Sequence, residues 1–237
     1  MIPYRGEVPR PRLPWVTIGL IAVNVVVFAY QATLGVEGFV AFVQRWGAVP
    51  AEVVEALSEQ PWAVWTWLVP STTSIFVHGG LWHLLLNMLF LWVFGEAVEN
   101  GIGPGKFFVI YMLAGVGAVL VQTLFIPGSE LPMVGASGAV AGVLGMYVLL
   151  YPLSKLRVYL PPAFIFRISA MVFIMAWFFY QIFAGLAVGR TQEMVGGVAW
   201  WAHVGGFVIG VVVHLLIARD TVNWSDEVPR EQNEQPA

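Results

Sequence analysis

Apolar residues run together in this chain, in stretches that approach or exceed the ~18–20 residues a helix needs to cross a bilayer. The runs at 15–34, 81–98, 107–126, 137–151, 163–187 and 200–217 predict six membrane helices. Between the first two lies a segment, 35–78, containing WGAVPAEVVEAL and PWAVWTWLVPSTTSIF. Its tryptophans predict a structured loop at the membrane interface, where indole rings favour the headgroup level. The first run exceeds the ~7–15-residue apolar core of a secretory signal, and no A-x-A-like cleavage site follows it, so it is expected to remain as an anchor. A proline- and arginine-rich arm, 1–14, and a polar tail, 219–237, flank a single membrane domain, 15–218.

The fourth run is short. From Ser137 to Tyr151 a helix measures ~21 Å, against a hydrocarbon thickness of ~30 Å. Pro152, Lys155 and Arg157 fix its lower end at one face, so its upper end is expected to stop inside the membrane. The preceding IPGSELPMVGA is then non-helical chain below the outer surface, tolerated only where it is buried in protein or lines a wet cavity.

Composition agrees with a membrane protein: 59% of the 237 residues are hydrophobic and 11% charged, with a mean hydropathy of +0.78. Charge adds orientation. Arg5, Arg10, Arg12, Lys106, Lys155, Arg157 and Arg219 fall on one side of six crossings, whereas the opposite loops hold Arg45 and Arg190 among Glu37, Glu52, Glu55, Glu59, Glu130 and Glu193. The expectation is a cell (plasma or inner) membrane protein with both termini cytoplasmic. The absence of cysteine excludes disulfides, thiolate metal sites and a cysteine nucleophile. No basic stripe suggests nucleic acid.

Four polar residues fall at one depth. His203 lies ~24 Å above the inner boundary set by Arg219, Ser137 ~21 Å above Tyr151, and His83 and Asn87 ~24 and ~18 Å above Glu99. Ser137, Ala141 and Gly145 share one helical face and His203, Gly206 and Gly210 another, and small residues allow such faces to meet. Gly138/Gly142 and Gly206/Gly210 repeat the small-xxx-small spacing. A serine in the first turn of a helix is surrounded by free backbone N–H groups, a nearby imidazole can take its proton, and an asparagine amide can donate to a developing oxyanion. That combination is acyl-transfer chemistry. Alternatively, Ser137 is a helix N-cap and the membrane His and Asn residues bond neighbouring helices. Asn24 is read as an interhelical donor and His214 as a packing histidine.

HGGLWHLLLN at 78–87, GASG at 135–138 and AHVGGFVIG at 202–210 together resemble the signatures of the rhomboid intramembrane serine proteases. The pattern H-x4-H-x3-N, then G-x-S-G, then A-H-x-x-G-x3-G occurs in family order on successive runs. The resemblance implies an all-α membrane protein, a six-helix rhomboid-like bundle with a short central fourth helix. It implies a Ser137–His203 dyad without a carboxylate, an oxyanion site from the Ser137 N–H, His83 and Asn87, transmembrane protein substrates, and no metal or other cofactor. His78, Glu99, Gly135, Gly138, Gly206 and Gly210 take structural parts, with Glu99 flanked by Gly95 and Gly103 in the family's G-x3-E-x3-G. In two places the chain departs from the pattern. Ala141 stands four residues after the serine, where the family often has an aromatic residue stacked on the imidazole, so another group must orient His203. Arg45–Trp46 reverses the family's Trp-Arg pair, and no role is carried onto it.

Two other readings stay open: a non-catalytic rhomboid-like protein that binds transmembrane clients, and a metal or haem protein using His78, His83 and His203. AWFFY at 176–180 is either part of a lateral gate or a lipid-facing patch.

Overall fold

The computed structural model describes residues 1–8, 11–160, 164–188 and 198–217. A strand, β1 (Ile2–Gly6), precedes helix α1 (Trp15–Thr33). The segment expected as a structured loop carries α2 (Gly35–Trp46), α3 (Pro50–Glu59), α4 (Trp65–Thr73) and a 3-10 turn, Ser74–Phe76. A long helical stretch follows in three parts: α5 (Leu81–Phe90), a π-helical turn (Leu91–Gly95) and α6 (Glu96–Ile102). Next come α7 (Pro104–Phe125), α8 (Ser137–Leu150), strands β2 (Lys155–Leu160) and β3 (Phe164–Ser169), α9 (Ala170–Val188) and α10 (Trp200–Ile217). The tail and the loop holding Arg190 and Glu193 lie outside the described residues, as do Arg10 and Arg219.

Among the described residues four helical stretches are long and apolar enough to cross a membrane: Trp15–Thr33, Leu81–Ile102, Pro104–Phe125 and Ala170–Ala187. Two shorter apolar helices, Ser137–Leu150 and Trp200–Leu216, complete the set. The protein is an integral membrane protein, and its large exposed side chains, such as Val26, Phe108, Leu113, Phe183 and Leu186, form the surface that apolar lipid covers.

α8 is the centre of the bundle. Every residue from Gly138 to Tyr147 is buried, as suits a helix that is apolar all round. α7 and α10 flank it at backbone distance. A Cβ added to Gly138 would stand 2.5 Å from the Ala118 methyl, and one at Gly145 would stand 2.5 Å from the Phe207 carbonyl oxygen. A Cβ at Gly206 or Gly210 would fall on the carbonyls of Gly138 and Gly142. The small-xxx-small pairs thus form the α8–α10 seam. Ser137 lies one residue before Gly138 on that ridge, and Gly145, which shares the Ser137–Ala141 face, meets α10 as well.

α1 is attached by polar groups. Its buried residues are Thr17, Leu20, Asn24 and Gln31, three of them polar and seven apart, hence on one face. Pro14, at the N-cap position, makes no side-chain cap bond, and Glu99 serves from α6 instead. Its carboxylate accepts from Val16 N (3.0 Å), Thr17 N (2.7 Å) and Thr17 Oγ1 (2.8 Å). An added Cβ at Gly95 would stand 3.3 Å from that threonine hydroxyl, and Gly103, at φ +85°, makes the turn into Pro104. The G-x3-E-x3-G spacing is therefore a clamp on the start of α1. Asn24 donates to the Leu20 carbonyl of its own helix at 2.7 Å, with the Tyr111 hydroxyl of α7 beside it.

The all-α expectation needs one addition. β1, β2 and β3 form an antiparallel sheet in that order, with Leu156 and Val158 buried against the bundle. The arm 1–14 thus contributes a strand, and the run read as a helix from 163 is a strand as far as Ser169. A short apolar run cannot be assigned to helix or strand from its hydrophobicity. Lys155–Leu160 and Phe164–Ser169 pair residue for residue, which satisfies their backbone groups where helix would not bring α9 back against the bundle. Glu7 joins the sheet's outer side to Arg157 (3.1 Å) and Arg167 (2.9 Å).

Candidate active site

Ser137 is the first residue of α8, and its N-cap is Ala136, which makes no side-chain cap bond. The serine therefore does not serve as the cap that the simplest alternative reading required. The chain ahead of it is non-helical and bonded to the rest of the fold at several points. Met133 and Ala48 exchange both backbone bonds (2.8 and 3.0 Å), Ala51 N donates to the Ser129 carbonyl, and Gly135 N donates to the Ser74 carbonyl at 2.8 Å. Gly135 has φ +116°, a conformation L side chains rarely adopt, and an added Cβ would stand 2.6 Å from the His83 ring. Glycine here lets the serine turn press against the imidazole.

His83 and Asn87 occupy successive turns of α5, with the Asn87 amide donating one hydrogen to the His83 carbonyl at 2.9 Å. The amide's second hydrogen stays available. The fully buried His78 sets its ring edge-on against His83 (centroids 5.2 Å apart). Gln31 of α1 holds the His78 backbone at both polar atoms, accepting from N (3.2 Å) and donating to O (3.1 Å).

His203 sits in the first turn of α10. Gln122 of α7 accepts the Ala202 N–H at 2.9 Å, which caps that turn from outside, much as Glu99 caps α1. The imidazole meets two residues of α9: its Nδ1 lies 2.7 Å from Gln181 Oε1, and its ring faces Trp177 with centroids 5.7 Å apart at 35°.

Ser137, His203, His83 and Asn87 line one cavity of ≈ 760 Å³, together with Trp177 and apolar groups of α5, α8 and the 132–134 segment. Among the described residues no carboxylate, lysine or arginine lines it. Among the described residues no hydrogen bond joins Ser137 to His203; the two groups face a shared space, and bonds of this kind often tighten only when substrate is present. Among the described residues no three His, Asp or Glu side chains gather as metal ligands would. His214 is buried away from the cavity. Of 176–180, Trp177 lines the cavity and Phe178 stacks on Phe207 at 4.2 Å, whereas Phe179 and Tyr180 are exposed.

Sequence reasoning missed Gln31, Gln122 and Gln181, and took Trp177 only as part of the 176–180 run. The signal was present in the glutamines, since an uncharged polar side chain inside an apolar run must find a partner. A single sequence does not say which partner.

A family model described as the Rhomboid domain matches residues 61–220. Rhomboid protein 1, mitochondrial, of Saccharomyces cerevisiae is 32% identical over 150 residues, 62% of this chain and 41% of that protein. Rhomboid protease GluP of Bacillus subtilis is 44% identical over 80 residues, 33% of this chain and 15% of that protein. Rhomboid protease GlpG of Serratia proteamaculans is 26% identical over 197 residues, 83% of this chain and 60% of that protein. The chain spans less than two thirds of the length of each of these relatives. The match takes in the histidine-asparagine turns of α5, the serine at the head of α8 and the histidine of α10, so the chain that builds this cavity belongs to the rhomboid family.

Proposed function

We propose that this protein is an intramembrane serine endopeptidase that hydrolyses a peptide bond in or near a transmembrane segment of another membrane protein. The observation that carries the proposal is the convergence of Ser137, His203, His83 and Asn87 on one cavity from three helices. Ser137 Oγ attacks the substrate carbonyl carbon as its proton passes to His203 Nε2, and the carbonyl electron pair moves to oxygen. The Ser137 N–H, His83 and the Asn87 amide donate to that oxyanion. Collapse breaks the C–N bond, the departing nitrogen takes the proton from His203, and an acyl-serine remains. A water then repeats the sequence, giving its proton to His203, and releases the carboxylate product and the serine. No step needs a metal or organic cofactor.

A substrate helix has all its carbonyls bonded, so a segment must unwind to reach Ser137, and helix-destabilising residues near the cut are expected in substrates. The apolar lining suits such a segment, and Trp177 and Phe178 supply the inner wall of an approach beside α9.

Six crossings with both termini cytoplasmic follow from the same reading, and the sheet supports them. β1 pairs with β2, so residues 2–6 and 155–160 share one membrane face. Three long spans, α1, α5–α6 and α7, lie between them, which leaves α8 to make the fourth crossing despite its 14 residues. The short helix then begins inside the membrane, with Ser137 below the outer surface.

The test is cleavage of a single-span reporter protein in proteoliposomes, paired with labelling by a fluorophosphonate. The parent is expected to cleave and to be labelled at Ser137, and Ser137→Ala and His203→Ala to do neither. Cleavage at the parental rate by Ser137→Ala rules the proposal out, and a parent silent in both assays points to a non-catalytic client-binding protein.

A further inference from the structure

Resting on that reading, we infer that Gln181 is a positioning residue for the Ser137–His203 pair: its side-chain carbonyl fixes the His203 tautomer, and Trp177 fixes the tilt of the ring. A general base must offer an unprotonated nitrogen to the serine. Neutral imidazole carries one proton on one of two nitrogens, and which one is set by the partner of the other. Gln181 Oε1, a pure acceptor, stands 2.7 Å from Nδ1, so Nδ1 carries the proton and donates it. Nε2, on the far side of Cε1, is left with its lone pair for Ser137.

The surroundings favour this pairing over chance contact. Gln181 is 3% exposed and lies within an apolar helix, where an amide without a partner is costly. Among the described residues the cavity has no carboxylate that could take the same part. Ala141, buried four residues after Ser137, is too small to stack on the ring, and Trp177 covers it from α9 instead. Trp177 and Gln181 are four apart, one turn of the same helix, so a single face of α9 supplies both contacts. A neutral amide orients the imidazole as a carboxylate would, without burying another charge in the membrane. During attack the proton stays on Nδ1, donated to Gln181 Oε1, while Nε2 receives the serine proton, and the imidazolium then holds both.

The experiment uses protein labelled with 15N at its four histidines, His203 being assigned by difference with His203→Asn. In the parent, His203 is expected as the Nδ1–H tautomer, and in Gln181→Leu as a mixture. The Leu variant is expected to lose roughly 10- to 100-fold in kcat with KM little changed. Gln181→Glu restores the acceptor, so kcat recovers, and its carboxylate favours the imidazolium, so the acidic limb of kcat/KM moves to higher pH. Among the described residues His83 is the other titratable side chain lining the cavity with His203, and its contribution is common to all three proteins. A parental His203 protonated at Nε2, or a Gln181→Leu protein with unchanged tautomer and unchanged kcat, overturns the inference. The spectrum needs no turnover: a parent with the Nδ1–H tautomer but neither cleavage nor fluorophosphonate labelling would sink the protease reading and leave the Gln181 contact standing.

Discussion

Gly206 of α10 lies so close to Gly138 of α8 that a single methyl group on Gly206 would fall on the Gly138 carbonyl. One residue along α8 and three back along α10 are the serine and histidine of the candidate site, so this backbone contact sets the distance between them. The clash is with a peptide group inside a helix, which cannot rotate away as a side chain would.

Gly206→Val is therefore expected to spread α8 from α10, lowering stability by about 1–3 kcal/mol and fluorophosphonate labelling by more than the loss of folded protein explains. Thermal unfolding in detergent and labelling of the folded fraction check this together. Full labelling of a destabilised protein would show that the seam does not set the dyad.

Asn87→Ala removes an amide that faces the cavity while leaving the apolar wall in place. Cleavage is expected to slow by roughly 10- to 1,000-fold in kcat, with KM little changed, as for loss of an oxyanion donor. A change confined to KM would assign Asn87 to substrate binding.

Glu99→Ala leaves the N–H groups of Val16 and Thr17 without their acceptor, at a cost of roughly 1–3 kcal/mol. The loss belongs to stability, since Glu99 lies away from the cavity. The expected result is a lower unfolding temperature with unchanged cleavage per folded molecule.

The Glu7 pair makes the sheet sensitive to acid. The hydrogen bond from Arg157, then the charges of Arg167, Arg157 and Lys155, hold the Glu7 carboxyl below the ordinary carboxylate range. A group whose pKa is lowered on folding stabilises the folded arrangement above its unfolded value and loses that effect as pH falls through the folded value. Backbone amides of Ile2–Gly6 are thus expected to exchange faster as pH drops below the usual carboxylate range, after correction for intrinsic rates, and added salt should act in the same direction. Glu7→Gln should remove that dependence.

The site was legible where its chemistry is written in local spacing. His83 and Asn87 are one helical turn apart, Gly135 and Gly138 bracket Ser137, and Gly206 and Gly210 repeat at four, so each motif states its own geometry. Long spans such as Pro104–Phe125 were equally plain, because length and hydrophobicity suffice. Other features depend on pairings between distant residues. Phe164-Ile165-Phe166 continues into an apolar run and reads as the start of a helix until Lys155–Leu160 is known to lie beside it. The π-helical turn at Leu91–Gly95 alters one hydrogen-bond ladder and leaves the hydrophobic pattern unchanged. Gln181 announces a bond, but only the fold brings His203 to it, 22 residues later.

The pairing of β1 with β2 also bears on biosynthesis. Glu7 and Arg157 are 150 positions apart, so during translation the first strand waits while the apolar helices between them are made, before its mate emerges. The sheet can close only after those helices have been made, whereas α9 and α10 are still to come. A bulky tag fused close to Ile2 would then spare the making of the earlier helices and disturb the pairing of β1 with β2.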